Sequence, residues 1–297
     1  MSTTDQLLAS AGPAPVEAPA ETGGAGSTEI VIRPSKGWIP VDWHELYHSR
    51  ELFETLVLRD IKVRYKQTVL GVAWAVIQPL LTMIVFTLLF SRFEGVKTPG
   101  VPYQLFVFAG LVPWTFFTSA VSGAGLSLIN QQQLLTKIYF PRLFVPAATA
   151  GAYLVDLAIG LALFAVLLPI HRYVPSWGIV TLPIIVVMTF AASLGLGLIL
   201  AAMTILYRDL RFIIPFLLQT LMFASPVFYR PEQLPWPVLL IISLNPMTGI
   251  ISSYRWAILG IPLDLASLAI SVMSSVALLY FGLIFFRKSE RHFVDIA

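Results

Sequence analysis

One carboxylate of this 297-residue chain, Asp156, stands inside a long apolar segment, where an ionised group is unfavourable. A charged side chain at that depth marks a functional site, such as part of a proton relay, by default. Ala152 and Gly160 lie one helical turn to either side of it, which favours a face packed against another helix. The alternative for Asp156 is a protonated or hydrogen-bonded packing residue, and one acid alone lacks the partners of a relay.

Basic residues gather just before the first long apolar segment, at Arg59, Lys62, Arg64 and Lys66. Apolar side chains are mixed with them over residues 50–66, which predicts an amphipathic helix on the cytoplasmic membrane surface with its bases toward lipid phosphates. The alternative is a solvated helix that only anchors the membrane topology.

The motifs of several enzyme classes are missing from the sequence. No G-x-x-x-x-G-K-[ST] run occurs, so we do not expect the chain itself to hydrolyse ATP, and H-E-x-x-H and G-x-S-x-G are also missing. The chain has no cysteine, which excludes thiol nucleophiles and thiolate metal sites. The four histidines lie outside the long apolar runs, so we expect no cofactor or metal in this chain.

Composition identifies the environment in which these residues act. Hydrophobic residues make up 57% of the chain and charged residues 12%, against roughly 25% charged in soluble domains. A helix needs about 20 apolar residues to cross the hydrocarbon core. The sequence therefore predicts an all-α integral membrane protein with six transmembrane helices. These lie near residues 70–91, 104–128, 143–169, 180–206, 212–229 and 265–286.

The chain divides into three predicted regions. Residues 1–30 are rich in Ala, Pro, Gly, Ser and Thr, which predicts a disordered tail. Residues 31–66 form a cytoplasmic segment that contains the surface helix, and 67–297 form the six-span domain. Within that domain, the apolar stretch 233–254 contains three prolines, which favours re-entrant helices between the fifth and sixth spans.

Lysine and arginine predict the orientation in the membrane. Fourteen of the 19 such residues fall on the side that carries both termini, which indicates cytoplasmic termini. Because membrane topology accounts for the net charge of +3, we expect no nucleic-acid partner.

Two further groups of residues suit a transporter. Two cytoplasmic loops either dock a partner protein or simply form hairpin turns. Their candidate docking residues are Leu134, Leu135, Lys137, Ile138, Arg142, Arg208, Asp209 and Arg211. Aromatic side chains recur along three spans, where they are either surfaces for stacking sugar rings or lipid-facing belts. The aromatic candidates are Trp74, Trp114, Phe116, Phe117, Phe212, Phe216 and Phe223.

Several runs of residues follow one another in an order typical of one family. The most specific is 59–74, RDIKVRYKQTVLGVAW, which is followed by Gln78-Pro79-Leu80. Shorter runs occur at 137–143, 207–211, 225–229 and 244–247. Over about 45–297 the chain thus resembles the membrane subunit of polysaccharide-exporting ABC transporters, which export O-antigen, capsular polysaccharide or teichoic acid.

The resemblance implies a permease that works as a homodimer in the inner membrane with two ABC ATPase subunits, which would bind ATP and Mg. The cargo that it implies is a polysaccharide on undecaprenyl diphosphate, moved to the outer side. It places the diphosphate entrance at Arg59, Lys62, Arg64 and Lys66 together with the Leu70-Gly71 turn. The docking loops would transmit the ATPase motion, and the aromatic side chains would line the path.

Three other functions fit the same helices. A drug or small-lipid ABC permease shares the fold, and a tunnel wide enough for a sugar chain would separate the two. An ion-coupled secondary carrier predicts transport without an ATPase and loss of activity in Asp156→Asn. An integral-membrane enzyme of envelope synthesis is disfavoured by the missing acid–base and metal motifs.

Overall fold

Helices form all the regular secondary structure that the computed structural model describes, which confirms the all-α prediction. The described residues are Tyr47, 49–66, 71–90, 100–132, 140–231 and 234–290, all within the unit Trp38–Ala297. The predicted tail 1–30 and most of the cytoplasmic residues before the surface helix lie outside them. So do the predicted site residues Leu70, Leu134, Leu135, Lys137 and Ile138.

A surface helix is followed by a series of apolar helices. In chain order they are α1 (Arg50–Lys66), α2 (Gly71–Phe90), α3 (Tyr103–Asn130), α4 (Phe144–Ala152), α5 (Leu154–Ile170), α6 (Leu182–Leu206), α7 (Leu210–Ala224), α8 (Trp236–Ser243), α9 (Pro246–Leu259) and α10 (Leu265–Glu290). Helices α4 and α5 form one span interrupted at Tyr153, and a 3₁₀ turn, Trp177–Thr181, leads into α6.

Five of the six predicted spans are helices long and apolar enough to cross a membrane. The predicted fifth span, 212–229, is the exception, because α7 has only 15 residues. At 1.5 Å per residue it covers about 22 Å, less than the roughly 30 Å of the hydrocarbon core. The helix stops at Ala224 because Pro226 disfavours helical backbone at the residue before it.

Helices α8 and α9 form a broken pair bent by 99°. Asn245 lies at the bend, where its side chain caps α9. Ser243 of α8 donates a hydrogen bond to Ser267, one turn into α10, and Tyr173, in the loop after α5, donates to the carbonyl of Leu259 at the end of α9. The bend fits either one broken span or the re-entrant pair that the prolines predict, and re-entry stays a prediction.

Helix α3 forms the centre of the bundle, and most of its side chains are buried. Helix α6 packs against α3, and α10 packs against α6. The α6–α10 contact is closest at Gly195 and Gly282, where a Cβ on Gly282 would overlap the carbonyl of Gly195. Backbones that approach this closely allow apolar helices to associate through dispersion contacts.

A separate hydrophobic cluster holds the surface helix against the bundle. Leu56 of α1 is 4% exposed and belongs to a cluster with Phe140, Phe144 and Phe286. The ring of Phe53 lies 5.5 Å from that of Phe144. The apolar side of α1 is therefore covered by the ends of the spans, and this contact fixes the direction in which α1 presents its basic side chains.

Candidate functional site

A cavity of about 490 Å³ lies where α1 meets α2, α3 and α5. Its lining includes Arg64, Trp74 and Asp156, which the sequence assigned to the diphosphate entrance, the translocation path and an intramembrane acid. The other lining residues are Tyr65, Ala75, Gln78, Pro79, Val112, Thr115, Thr118, Ser119, Tyr153 and Gly160. The fold thus brings three separately predicted features into one site.

Asp156 is paired rather than alone. A guanidinium nitrogen of Arg64 donates to one carboxylate oxygen at 2.6 Å, and the hydroxyl of Tyr65 donates to the other. The side chains of Arg64 and Asp156 are 29% and 25% exposed, so the pair faces the cavity without being fully solvated. This geometry matches the hydrogen-bonded alternative for Asp156, with partners that come from the surface helix.

Tyr65 can serve as a stable donor in this site. Burial raises the pKa of its hydroxyl above the ordinary value, and the hydrogen bond to the Asp156 carboxylate raises the pKa further. The phenol therefore stays protonated at neutral pH. It joins the end of α1 to the third span at a second point beside Arg64.

Tyr153 completes the wall of the cavity. The Arg64 guanidinium lies 3.4 Å from the centroid of the Tyr153 ring, within the range of a cation–π contact. That ring covers Gly123 of α3, where any Cβ would overlap it. A second cavity of about 320 Å³ shares Arg64 and Tyr153 with the first, and its other lining includes Asp60 and Gln131.

The four predicted basic residues of α1 fall into two pairs with different surroundings. Arg59 donates to Asp60 at 2.8 Å and to Gln131 of the α3 end at 2.6 Å. Arg64 is held by Asp156. Lys62 and Lys66, one turn apart, are exposed, and neither has an ion pair with another described residue. Of the predicted turn, Gly71 begins α2, while Leu70 is not described.

The described docking residues lie at loop ends. Arg142 donates to the carbonyl of Glu290 at 3.5 Å, which brings the residues just before α4 next to the end of α10. Arg208 and Asp209, between α6 and α7, and Arg211, in the first turn of α7, are exposed. The coupling role of all these residues stays a prediction.

The predicted aromatic path residues separate into an exposed set and a buried set. Trp74 is 55% exposed and lines the cavity. On α7 the exposed rings lie along one side of the helix; they are Phe212, Phe216 and Phe223, at 68%, 71% and 65%. The rings of α3 instead pack inside the protomer; they are Trp114, Phe116 and Phe117, at 3%, 1% and 1%. The structure therefore buries the α3 rings and leaves Trp74 and the α7 rings exposed.

A buried arginine lies inside α9. Arg255 is 2% exposed, and its guanidinium donates to the carbonyls of Val227 at 2.7 Å and Tyr229 at 3.4 Å. Asn245 donates to the hydroxyl of Ser225 at 2.7 Å. The runs 225–229 and 244–247, noted separately in the sequence, therefore meet in space. The charge of Arg255 is therefore buried inside the protein and is no part of the loop charge.

Among the described residues, no group of three or more His, Asp or Glu side chains could hold a metal ion. The polar groups of the cavity are instead an ion pair, hydroxyls and an amide. Such groups bind or orient a polar ligand, and no nucleophile–base pair is assembled in the cavity lining.

Comparison with known proteins identifies sequences that share this architecture. The family model for ABC-2 type transporters matches residues 51–259, which include the whole lining of both cavities. The chain is 34% identical over 213 residues to the O-antigen export system permease protein RfbA of Myxococcus xanthus, covering 71% of this chain and 81% of that protein.

Two further relatives match over more of their length. The O-antigen export system permease protein RfbA of Klebsiella pneumoniae is 27% identical over 257 residues, 84% of this chain and 97% of the relative. The polysialic acid transport protein KpsM of Escherichia coli is 26% identical over 245 residues, 80% of this chain and 93% of the relative. A helical fold and a family match over more than half of its length show that this chain belongs to the ABC-2 type transporter family.

Proposed function

We propose that this chain is the permease subunit of an ATP-driven exporter that moves a lipid-linked polysaccharide from the cytoplasmic to the outer side of the inner membrane. The observation that carries the proposal is the similarity to permeases named for O-antigen and polysialic acid, two different polysaccharides. The missing P-loop supports it, because a permease subunit leaves ATP and Mg binding to separate ATPase chains.

The lipid diphosphate meets the exposed bases of α1. Lys62 and Lys66 stand one turn apart on a helix that the Leu56 cluster holds in place, so two cations point into the same surface region. Arg59 and Arg64 act as positioning residues, because their guanidiniums are already bonded to Asp60, Gln131 and Asp156. Of the four residues that the sequence predicts for the entrance, the two lysines thus contact the diphosphate and the two arginines position the helix.

The complete transporter contains two copies of this chain and two ABC ATPase subunits. Helix α7 contributes an exposed apolar side to the second copy, with the aromatic rings of Phe212, Phe216 and Phe223 along it. The ATPase subunits dock below the loop that contains Leu134 to Arg142 and the turn from Arg208 to Arg211. Both termini lie on the same, cytoplasmic side.

Co-purification with the ATPase encoded beside this chain tests the proposal. We expect a complex with two copies of each chain that hydrolyses ATP, and deletion of the permease gene should trap the glycan on its lipid carrier inside the cell. A chain that never retains an ATPase, or a deletion strain with normal surface polysaccharide, would disprove the function.

A charge variant tests the diphosphate entrance. Lys62→Gln with Lys66→Gln should lower the rate of glycan export about thirtyfold, since each base near an anionic surface contributes about 1 kcal/mol and two are removed. The matched control is Lys288→Gln at the exposed end of α10, which should stay within about twofold of the parent. Equal rates for the double variant and the parent would exclude these lysines from the entrance.

A further inference from the structure

The described residues that line the 490 Å³ cavity beneath α1 carry no net charge. Among the described lining residues, Arg64 and Asp156 alone are charged, and they neutralise each other at 2.6 Å. An anionic group that entered would have to displace the Asp156 carboxylate from Arg64 or remain beside it unpaired. The cavity therefore disfavours a diphosphate, which instead meets the exposed ammonium groups of Lys62 and Lys66, neither ion-paired with another described residue.

Uncommitted hydrogen-bonding groups line the same space. The side-chain amide of Gln78 on α2 and the hydroxyl of Ser119 on α3 make no hydrogen bond with any other described residue. The hydroxyls of Thr115 and Thr118 donate to carbonyls of their own helix, which leaves their lone pairs free to accept. Donors and acceptors are thus available together, as the hydroxyls of a sugar require.

Trp74 adds an apolar surface next to these polar groups. Its ring is 55% exposed and lines the cavity together with Pro79 of the same helix. The volume of about 490 Å³ falls within the roughly 300–1,000 Å³ of small-molecule sites. A ring face for the C–H side of a sugar, and hydrogen-bonding groups for its hydroxyls, form one pocket.

We infer that this cavity binds uncharged sugar residues of the glycan next to its lipid carrier, while the diphosphate stays outside at Lys62 and Lys66. The inference rests on the proposed function and deepens it, since it separates the sugar site from the phosphate site. Each protomer holds its own sugar site, built from α1, α2, α3 and α5.

Photo-crosslinking in cells that make the native glycan tests the assignment. A photoreactive amino acid replaces Ser119 in the full chain, with Val187 on the exposed side of α6 as the control position. Ultraviolet light should attach glycan to the permease from position 119 and not from position 187. Mild acid, which cleaves the bond between sugar and diphosphate, should leave the glycan attached to the permease.

Three outcomes would overturn the inference. Glycan released by mild acid would mean that the diphosphate or the lipid occupies the cavity. Crosslinks to phospholipid alone would mean that the cavity faces the bilayer, and equal glycan labelling from both positions would mean that contact is not site-specific.

A variant pair supplies a second readout. Ser119→Ala with Gln78→Leu removes the uncommitted polar groups without touching the Arg64–Asp156 pair, and should lower export at least threefold. Ser274→Ala on α10, away from the cavity, should leave export unchanged. If the permease is required for export but neither the crosslink nor the variant has an effect, the inference fails alone. If export persists without the permease, the proposed function fails as well.

Discussion

The ion pair between Arg64 and Asp156 joins a surface helix to a membrane span, and each partner neutralises the charge of the other. Asp156→Asn keeps the shape of the side chain but removes its charge. We expect the free energy of unfolding to fall by about 1–3 kcal/mol, between the values for exposed and buried pairs. Thermal unfolding of the purified chain in detergent measures this, with the exposed Asp209→Asn as control.

The same variant separates the transporter classes. In an ATP-driven permease, export by Asp156→Asn should fall only in proportion to the folded protein. Complete loss of transport in a variant as stable as the parent would instead favour the ion-coupled carrier, in which Asp156 takes up and releases a proton.

Arg255 holds the chain after α7 through backbone carbonyls. Arg255→Met should lower the free energy of unfolding by about 2–4 kcal/mol, because buried carbonyls lose their donors. Arg255→Lys should recover only part of this loss, since one ammonium group cannot reproduce a planar guanidinium that contacts three carbonyls. Lys288→Met, at an exposed position, is the control in the same thermal assay, and equal stability of both Met variants would contradict the role.

At the scale of the elements, the α6–α10 contact depends on Gly195 and Gly282, which have no side chain to separate the two backbones. A Cβ on Gly195 would overlap backbone atoms of Leu278 and Leu279, so Gly195→Ala should cost about 2–3 kcal/mol of stability. Gly151→Ala is the matched control, because its Cβ would meet only a methyl group of Val57 at 3.7 Å. Alanine favours helix over glycine, so the control should be neutral or slightly stabilising. Similar losses in both would show that helix packing is not the cause.

At the scale of the whole molecule, the orientation can be measured directly because the natural chain has no cysteine. Trp177→Cys, at a position 93% exposed, should react with a membrane-impermeant maleimide in spheroplasts, in which the outer face of the inner membrane is open to the reagent. Arg208→Cys should react only after lysis. The opposite pattern would invert the topology predicted from the distribution of bases.

Thiol labelling also tests the re-entrant pair. Trp236→Cys, at the start of α8, and Pro262→Cys, after α9, should both react from outside, because α9 ends at the loop that contains Tyr173. Reaction of one from outside and the other only after lysis would make the pair a broken span.

Much of the architecture follows from one-dimensional properties of the chain. The lengths of the apolar runs predict five of the spans. The three prolines predict the break between α8 and α9, and the mixture of apolar and basic residues predicts the surface helix. These features are predictable because they depend on the bilayer thickness and on local backbone chemistry. The early end of α7 at Ala224 could also have been predicted from Pro226.

Only the tertiary structure decided which side chains meet. Arg64 and Asp156 lie far apart in sequence, and nothing in either local pattern indicates the other. The local sequence likewise does not indicate that Trp114, Phe116 and Phe117 are buried whereas Phe212 is exposed. In a bilayer the lipid is as apolar as the protein interior, so hydrophobic periodicity does not distinguish the packed side of a helix from its lipid side. That choice is made by close packing between helices, which the sequence of one helix does not encode.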